Sequence, residues 1–397
     1  MAKILYLAHR IPYPPDKGDK ITTFNFLRHL SQRHQVYLGA FVDSPEDWAH
    51  EEKLRSYCTE LKLVGIAPLR RRLWSARALL GARSLTEAYY ASAALQTWVD
   101  ATMRERGIDA VLAYCSAMAP YVADARYGGV SRVTHYADVD SEKWNSYAES
   151  HRGLMSWVYR REARTLLALE RSMSQAYDVT SFISDADADL YRRLAPESAA
   201  RVRVIPNGVD TDYYDPDLAH EPPYAAGAET VVFVGAMDYW PNVDAVRWFA
   251  DEVLPLLRHE RPAAEFWIVG SKPTNEVKQL AERPGVHVTG RVPDVRPYVA
   301  HAGAVVAPLR VARGTQNKVL EAYAMARRVA LTSAAANGLR PDPFIAADTH
   351  DEPAALAGAV ARALAAPPRH AAARDYVMRN FSWASACAEL DRALRLD

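Results

Sequence analysis

The chain has 397 residues, too many for one ordinary hydrophobic core and a natural length for two domains. Apolar residues make up 49% and charged residues 24%, which excludes a disordered or fibrous chain and points to a compact globular one. Lysine plus arginine and aspartate plus glutamate balance at 48 each, so no overall field draws the protein onto nucleic acid, and none is expected as a partner.

A short apolar strand is predicted at Lys3 to Ala8, followed by a turn-rich loop from Arg10 to Gly18. The apolar stretch Ile4 to Ala8 is too short for a signal-peptide core and no later run approaches a membrane span, so a cytoplasmic protein is expected. Ile21, Phe24 and Leu27, three residues apart, mark the first helix. Further short apolar runs fall at Val36 to Phe41, Leu61 to Val64, Ala110 to Tyr114, Val133 to Tyr136 and Val179 to Ile183. They do not alternate strictly and have helical-length segments between several of them, which predicts a parallel sheet covered on both faces.

A polar stretch with Pro216, Pro222 and Pro223 then reads as a linker, residues 206–229. The second series runs through Val231 to Val234, Glu265 to Val269, Val286 to Thr289, Ala304 to Ala307 and Val329 to Thr332. The expectation is an α/β chain of two Rossmann-like domains, 1–205 and 230–375, facing each other across a cleft, with a C-terminal helix over 376–397 returning to the first domain. Cys58, Cys115 and Cys387 are far apart, odd in number and without CxxC spacing, so each is expected to be a small buried apolar residue. His34, His50, His287 and His301 are scattered without ligand spacing, and no metal is expected.

The most informative segment is Arg313 to Ala326, placed after the run Ala304 to Ala307. Gly314 and Thr315 suit a loop that ends in a helix cap, and from Asn317 the residues suit a helix whose first-turn amides attract anions. Lys318 adds charge there, and Glu321 lies three residues on, about 4.5 Å along the axis on the same face. A pyrophosphate on the lysine would put a ribose near the carboxylate; the same spacing also suits a solvated surface pair. Gly235 and Gly270 each follow an apolar strand, either leaving room for a ligand or serving as plain turn glycines.

In the first domain, Pro14 to Asp19 joins the first strand to its helix. Gly18 would let this loop, with Asp16, Lys17 and Asp19, approach a diphosphate or an acceptor. Asp138 and Asp140 follow the strand ending at Tyr136, with His135 beside them, and either supply a general base or cap the next helix. The residues after Tyr114, Cys115-Ser116-Ala117-Met118, include no base at neutral pH. Leu69-Arg70-Arg71-Arg72-Leu73-Trp74, leading into Ala78-Leu79-Leu80, mixes basic and apolar groups, as does Trp157-Val158-Tyr159-Arg160-Arg161. Such segments suit either an anionic membrane surface or solvated basic helices.

Taken in order, Ile205-Pro206-Asn207-Gly208-Val209-Asp210, Val234 to Asn242, Gly290-Arg291-Val292-Pro293-Asp294-Val295, Ala307-Pro308-Leu309 and Asn317 to Ala322 resemble the landmarks of family-four glycosyltransferases of the GT-B fold. His9-Arg10-Ile11-Pro12-Tyr13-Pro14-Pro15 with Lys17 to Lys20, Asp138 to Ser141 with Lys143-Trp144, and Gln316 to Ala322 are most similar to sugar transferases found with exosortase (PEP-CTERM) exopolysaccharide systems. The resemblance implies a C-terminal domain that holds a nucleotide-diphosphate sugar and an N-terminal domain that supplies most of the site for a glycan or lipid-linked acceptor. It matches Glu321 to the second glutamate of the family's paired motif, which binds ribose hydroxyls, and puts Arg313 where the first glutamate usually stands. Lys318 is the main diphosphate ligand that it implies, with Lys272 a weaker one, and Arg291 and Val292 match the loop on which the base rests. It further implies a retaining, metal-independent transfer, with contact to the inner face of the membrane where the acceptor is lipid-linked. Two other readings share the fold, a nucleotide-sugar epimerase or hydrolase and a sugar-binding protein without turnover. A dinucleotide oxidoreductase would need a GxGxxG after a strand, and there is none.

Overall fold

In a computed structural model of the protein, residues 1–16, 18–150, 152–312 and 314–396 are described, with only the backbone of Arg70, Arg72, Leu73, Leu80 and Ser150. Two compact units account for the chain, Met1–Asn207 with Ala386–Asp397, and Gly208–Ser385.

The first unit is built on seven parallel strands: β1 (Lys3–Ala8), β2 (Gln35–Val42), β3 (Glu60–Gly65), β4 (Ala110–Tyr114), β5 (Ser131–Tyr136), β6 (Val179–Phe182) and β7 (Val202–Val204). Their order in the sheet is β3-β2-β1-β4-β5-β6-β7, with Ala8 level with both Ala40 and Tyr114. Ile4 to Ala8 and Ala110 to Tyr114 are buried on both faces, which is why these strands read as unbroken apolar runs. Chain order grows one way from β1 to β3 and the other way from β4 to β7, so the crevice of this sheet opens between the carboxyl ends of β1 and β4. The helix Gly18–Arg33 follows β1, and Phe26, Leu27 and Leu30 on its buried face reach the core.

The second unit holds β8 (Glu229–Val234), β9 (Ala264–Val269), β10 (Val286–Gly290), β11 (Ala304–Ala307) and β12 (Val329–Leu331), all parallel, in the order β10-β9-β8-β11-β12. Its switch point lies between β8 and β11. The predicted strands recur with ends unchanged or moved by at most two residues, and β7 is an addition. Val-Arg-Val is too short for its pattern to stand out, and its place is set by pairing with β6.

The stretch predicted as a linker packs on the second unit. Tyr214 and Tyr224 lie against its core, the Tyr224 hydroxyl donates to the Tyr298 carbonyl at 2.8 Å, and Arg374 donates to the Tyr214 carbonyl at 3.0 Å. Gly208 passes so close under Trp383 that a Cβ would stand 2.5 Å from the Trp383 nitrogen. The chain ends in two helices, Ala371–Asn380 and Trp383–Leu394. In the first unit, Leu390 and Leu394 of the last helix are buried and Asp391 meets His29 Nε2 at 2.9 Å. Cys387 is buried as expected, whereas Cys58 and Cys115 are only half-buried.

Candidate functional site

In the second unit the segments that follow β8 and β11 come together at the switch point. After β8 the chain turns through Gly235 and Ala236 into the helix Trp240–Trp248, which starts with Pro241 in its first turn, a position where a missing N–H costs nothing. Asn242 is buried there, and its Nδ2 donates to the Ala236 carbonyl at 2.9 Å. That leaves Oδ1 pointing at Lys318, whose Nζ donates to it at 2.6 Å and lies 4.4 Å from the centre of the Phe233 ring. Lys318 is in the first turn of the helix Asn317–Ala324 that follows β11, so one hydrogen bond joins the two sides of the switch.

Burial pulls the Lys318 ammonium down from its ordinary 10.5 to about 8, against the opposing pull of Glu321. Glu321, half-buried, is raised by burial and steadied by a hydrogen bond from the Tyr214 hydroxyl and by the Lys318 charge. Lys318 and Glu321 are therefore no solvated surface pair. They are desolvated, tied to Asn242 and Tyr214, and set at the carboxyl ends of a parallel sheet.

The loop before this helix differs in detail from the expectation. Gly314 takes a left-handed φ of 62°, which a glycine adopts freely. The Thr315 hydroxyl donates to the Gly338 carbonyl at 3.1 Å, Gln316 occupies the cap position without a side-chain cap bond, and its Nε2 donates to the Gly314 carbonyl at 3.2 Å. Thr315 thus holds the loop against Gly338 rather than capping. Asn317 is exposed at the helix start. Gly270 has a different reason from either anticipated, because a Cβ on it would lie 1.7 Å from the Gly235 carbonyl oxygen; the two strand-end backbones pack on each other. Lys272 stands out in solvent, its Nζ 3.2 Å from Asp238, and Arg291 is exposed, while Val292 packs against the core.

The first unit gathers a second group at its own switch. His9, just after β1, stacks on Tyr114 with centroids 5.7 Å apart and planes at 8°, and its Nε2 is 3.3 Å from Asp19. Asp19 also takes a 2.7 Å hydrogen bond from Arg10, which reaches Asp43 at 3.0 Å with its Nε. Burial works to raise the Asp19 carboxyl, but the His9 bond and the Arg10 charge outweigh it and hold it well below the usual carboxylate range.

Gly18 begins the helix, with open space where a Cβ would be, and Asp16 is largely exposed, 3.9 Å from Lys20. Lys20 is buried and paired with Asp47 at 2.9 Å. Asp138 and Asp140 separate. Asp138 is exposed, while Asp140 takes a 2.9 Å bond from the Ser116 hydroxyl, and burial pushes its carboxyl up. His135 is a core residue whose Nδ1 meets Ser181 Oγ at 2.9 Å; burial lowers it to about 3, so it stays neutral.

Lys17 and Arg313, both named above, lie outside the described residues. Sequence reading missed Asn242, Tyr214 and His9 as partners. Asn242 carries no charge, Tyr214 sits in the apparent linker, and His9 was seen only as part of a motif. Among the described residues no three His, Cys, Asp or Glu side chains converge as a metal site requires, and no helix is long and apolar enough to cross a membrane.

Comparison with known proteins gives the family. Residues 18–213 match the family model for glycosyltransferase family 4, and residues 228–366 match the one for glycosyl transferases group 1. No curated protein matches the chain. A glycosyltransferase from Rickettsia africae is similar over 100% of this chain and 98% of its own, with 13% identity and a TM-score of 0.61. HepE of Anabaena in complex with UDP is similar over the whole of both chains, with 15% identity and a TM-score of 0.62, and it has also been solved with UDP-glucose. WaaG, a glycosyltransferase involved in lipopolysaccharide biosynthesis, is similar over 98% of this chain and 99% of its own, with 16% identity and a TM-score of 0.57.

Proposed function

This chain is a glycosyltransferase of the GT-B fold, and we propose that it takes a sugar from a nucleotide-diphosphate donor held in the second unit and passes it to a glycan or lipid-linked acceptor bound by the first. The observation that carries the donor assignment is the desolvated Lys318 at the β8/β11 switch, with Glu321 one turn further along. The diphosphate rests at the start of the helix Asn317–Ala324, where Lys318 and the first-turn amides meet its charge, and the ribose hydroxyls reach Glu321. Gly314, Thr315 and Gln316 form the rim of that site, and Arg291 and Val292 are the place for the base. UDP in the HepE structures supports a uridine donor.

Transfer is retaining on this reading. The bond from the anomeric carbon to the phosphate oxygen breaks, the bond to the acceptor oxygen forms on the same face, and the departing phosphate takes the acceptor proton. Positive charge at Lys318 stabilises that phosphate, so the mechanism needs no metal. Asp140, half-buried beside Ser116, and its neighbour Asp138 orient the acceptor hydroxyl, with the Asp16 to Asp19 loop beside them. The physiological setting that fits is exopolysaccharide assembly at the cytoplasmic face of the membrane.

A thermal-shift screen with UDP, GDP and their sugars tests the donor site. Stabilisation by UDP or UDP-glucose in the wild type, weakened in Lys318→Ala and Glu321→Ala, is the expected result. Equal stabilisation of all three proteins would move the donor elsewhere.

A further inference from the structure

The carboxyl edge of the first sheet has a groove that the donor and proton chemistry leave unused. A hollow of about 530 Å³ beyond the end of β3 is lined by Gly65, Arg71, Trp74 and Arg83 among others. A second hollow of about 210 Å³ runs inward to Ala117, just past β4, and to Tyr121. The two share Arg83, Ala91, Ser92 and Ala93, which makes them one groove leading from the sheet's crevice to the surface. Arg71 donates to the Ala91 carbonyl, and among the described residues no carboxylate lies within ion-pair distance of it. Arg83 is exposed, with its Nε 2.8 Å from Glu87.

The outer mouth opens on an unusual surface. Leu69 is 77% and Trp74 53% exposed, and the Arg77 guanidinium lies 5.8 Å from the Trp74 ring. Buried Arg161 donates to the carbonyls of Ala78, Gly81 and Arg83, so it belongs to the interior and not to the basic face that its sequence suggested. That contact brings this stretch together with the start of the helix Gly153–Ala176, where Leu154 is 76% and Trp157 55% exposed. Residues 66–83 include five arginines and no acidic residue, and 152–160 two arginines and none. Large apolar side chains standing in water among cations, with Glu87 beside Arg83 as the carboxylate at the groove, match an anionic lipid interface in both charge and hydrophobicity.

We propose that this face sits on an anionic bilayer and that the groove receives a phosphorylated lipid from it. The phosphate lies between Arg71 and Arg83, the hydrocarbon leaves past Trp74, and the head group points inward toward the Ala117 end. The proposal rests on the transferase reading and narrows its acceptor to a lipid phosphate.

Three measurements on the full chain test it. Co-sedimentation at low salt with phosphatidylcholine vesicles, with and without phosphatidylglycerol, should show binding only to the anionic ones, weakened roughly tenfold in Trp157→Ser. Dodecyl phosphate should raise the melting temperature of the wild type and of Trp157→Ser, but not of Arg71→Gln/Arg83→Gln; dodecanol and inorganic phosphate should do neither. UDP stabilisation should be the same in every variant. Equal binding to both vesicle types, or equal effects of dodecyl phosphate and inorganic phosphate, would overturn the lipid site while leaving the UDP response intact. A wild type that ignores UDP would instead sink the transferase reading on which the proposal rests.

Discussion

Lys318 yields the sharpest test, because its environment couples nucleotide binding to protons. In the free protein burial holds its ammonium near 8 against an ordinary 10.5. A bound diphosphate supplies the anion that burial lacks and lifts that value again. Below about pH 8 the lysine is charged before and after binding and adds no pH dependence to the affinity. Above it the free protein must take up a proton to bind, so the dissociation constant for UDP should rise by up to about tenfold per pH unit.

Lys318→Met keeps an unbranched side chain at this position and removes the charge that lies over the Phe233 ring. A charge-assisted hydrogen bond contributes about 1.5–3 kcal/mol, so the variant should bind UDP roughly 10- to 100-fold more weakly near neutrality. Its deficit should shrink by about tenfold one pH unit above 8. Titration calorimetry of both proteins across that range, in buffers of different ionisation enthalpy, reads the affinity and the proton uptake together. Titration of the uracil ring affects both proteins equally and cancels in the ratio. A wild-type to variant ratio that stays constant with pH would refute the placement of the diphosphate on this lysine.

The same shift bears on stability with the opposite sense, since the unfolded lysine keeps its proton longer: without ligand, wild-type stability should rise with pH between about 8 and 10.5, a rise that urea denaturation should show absent in Lys318→Met. Glu170 is buried and lifted from 4.5 to about 8, first by burial and then by the Asp140 charge. The folded chain therefore holds a proton that the unfolded chain has released, stability falls as pH rises through that window, and Glu170→Gln should flatten the fall by up to about 1.4 kcal/mol per pH unit in urea midpoints. Gly270→Ala sets a Cβ 1.7 Å from the Gly235 oxygen, and a loss of roughly 3 kcal/mol or more is expected; a melting temperature equal to wild type would contradict that packing. Leu390→Ala, in the last helix, should cost about 2–5 kcal/mol by urea denaturation, and a cost within error of zero would mean the helix is not docked on the first unit.

The strand-and-helix alternation was legible from residues alone because parallel strands, buried on both faces, leave unbroken apolar runs such as Ile4 to Ala8 and Val231 to Phe233. The same holds for the anion-ready helix at Asn317, since loop glycine, helix start and lysine are neighbours in the chain. Pairings over long separations were not legible. Asn242 stands 76 residues from the lysine it binds, and Tyr214 looked like part of a linker because Glu321, which its hydroxyl meets, lies far along the chain. Asp138 and Asp140 are two residues apart, yet one ends in solvent and the other against Ser116, a distinction set by where β4 lies beside β5. Local propensity and period are properties of the chain and can be read along it. Desolvation, hydrogen-bond partners and the pKa values that follow from them belong to the packed strand ends, and only the order of strands in each sheet decided those.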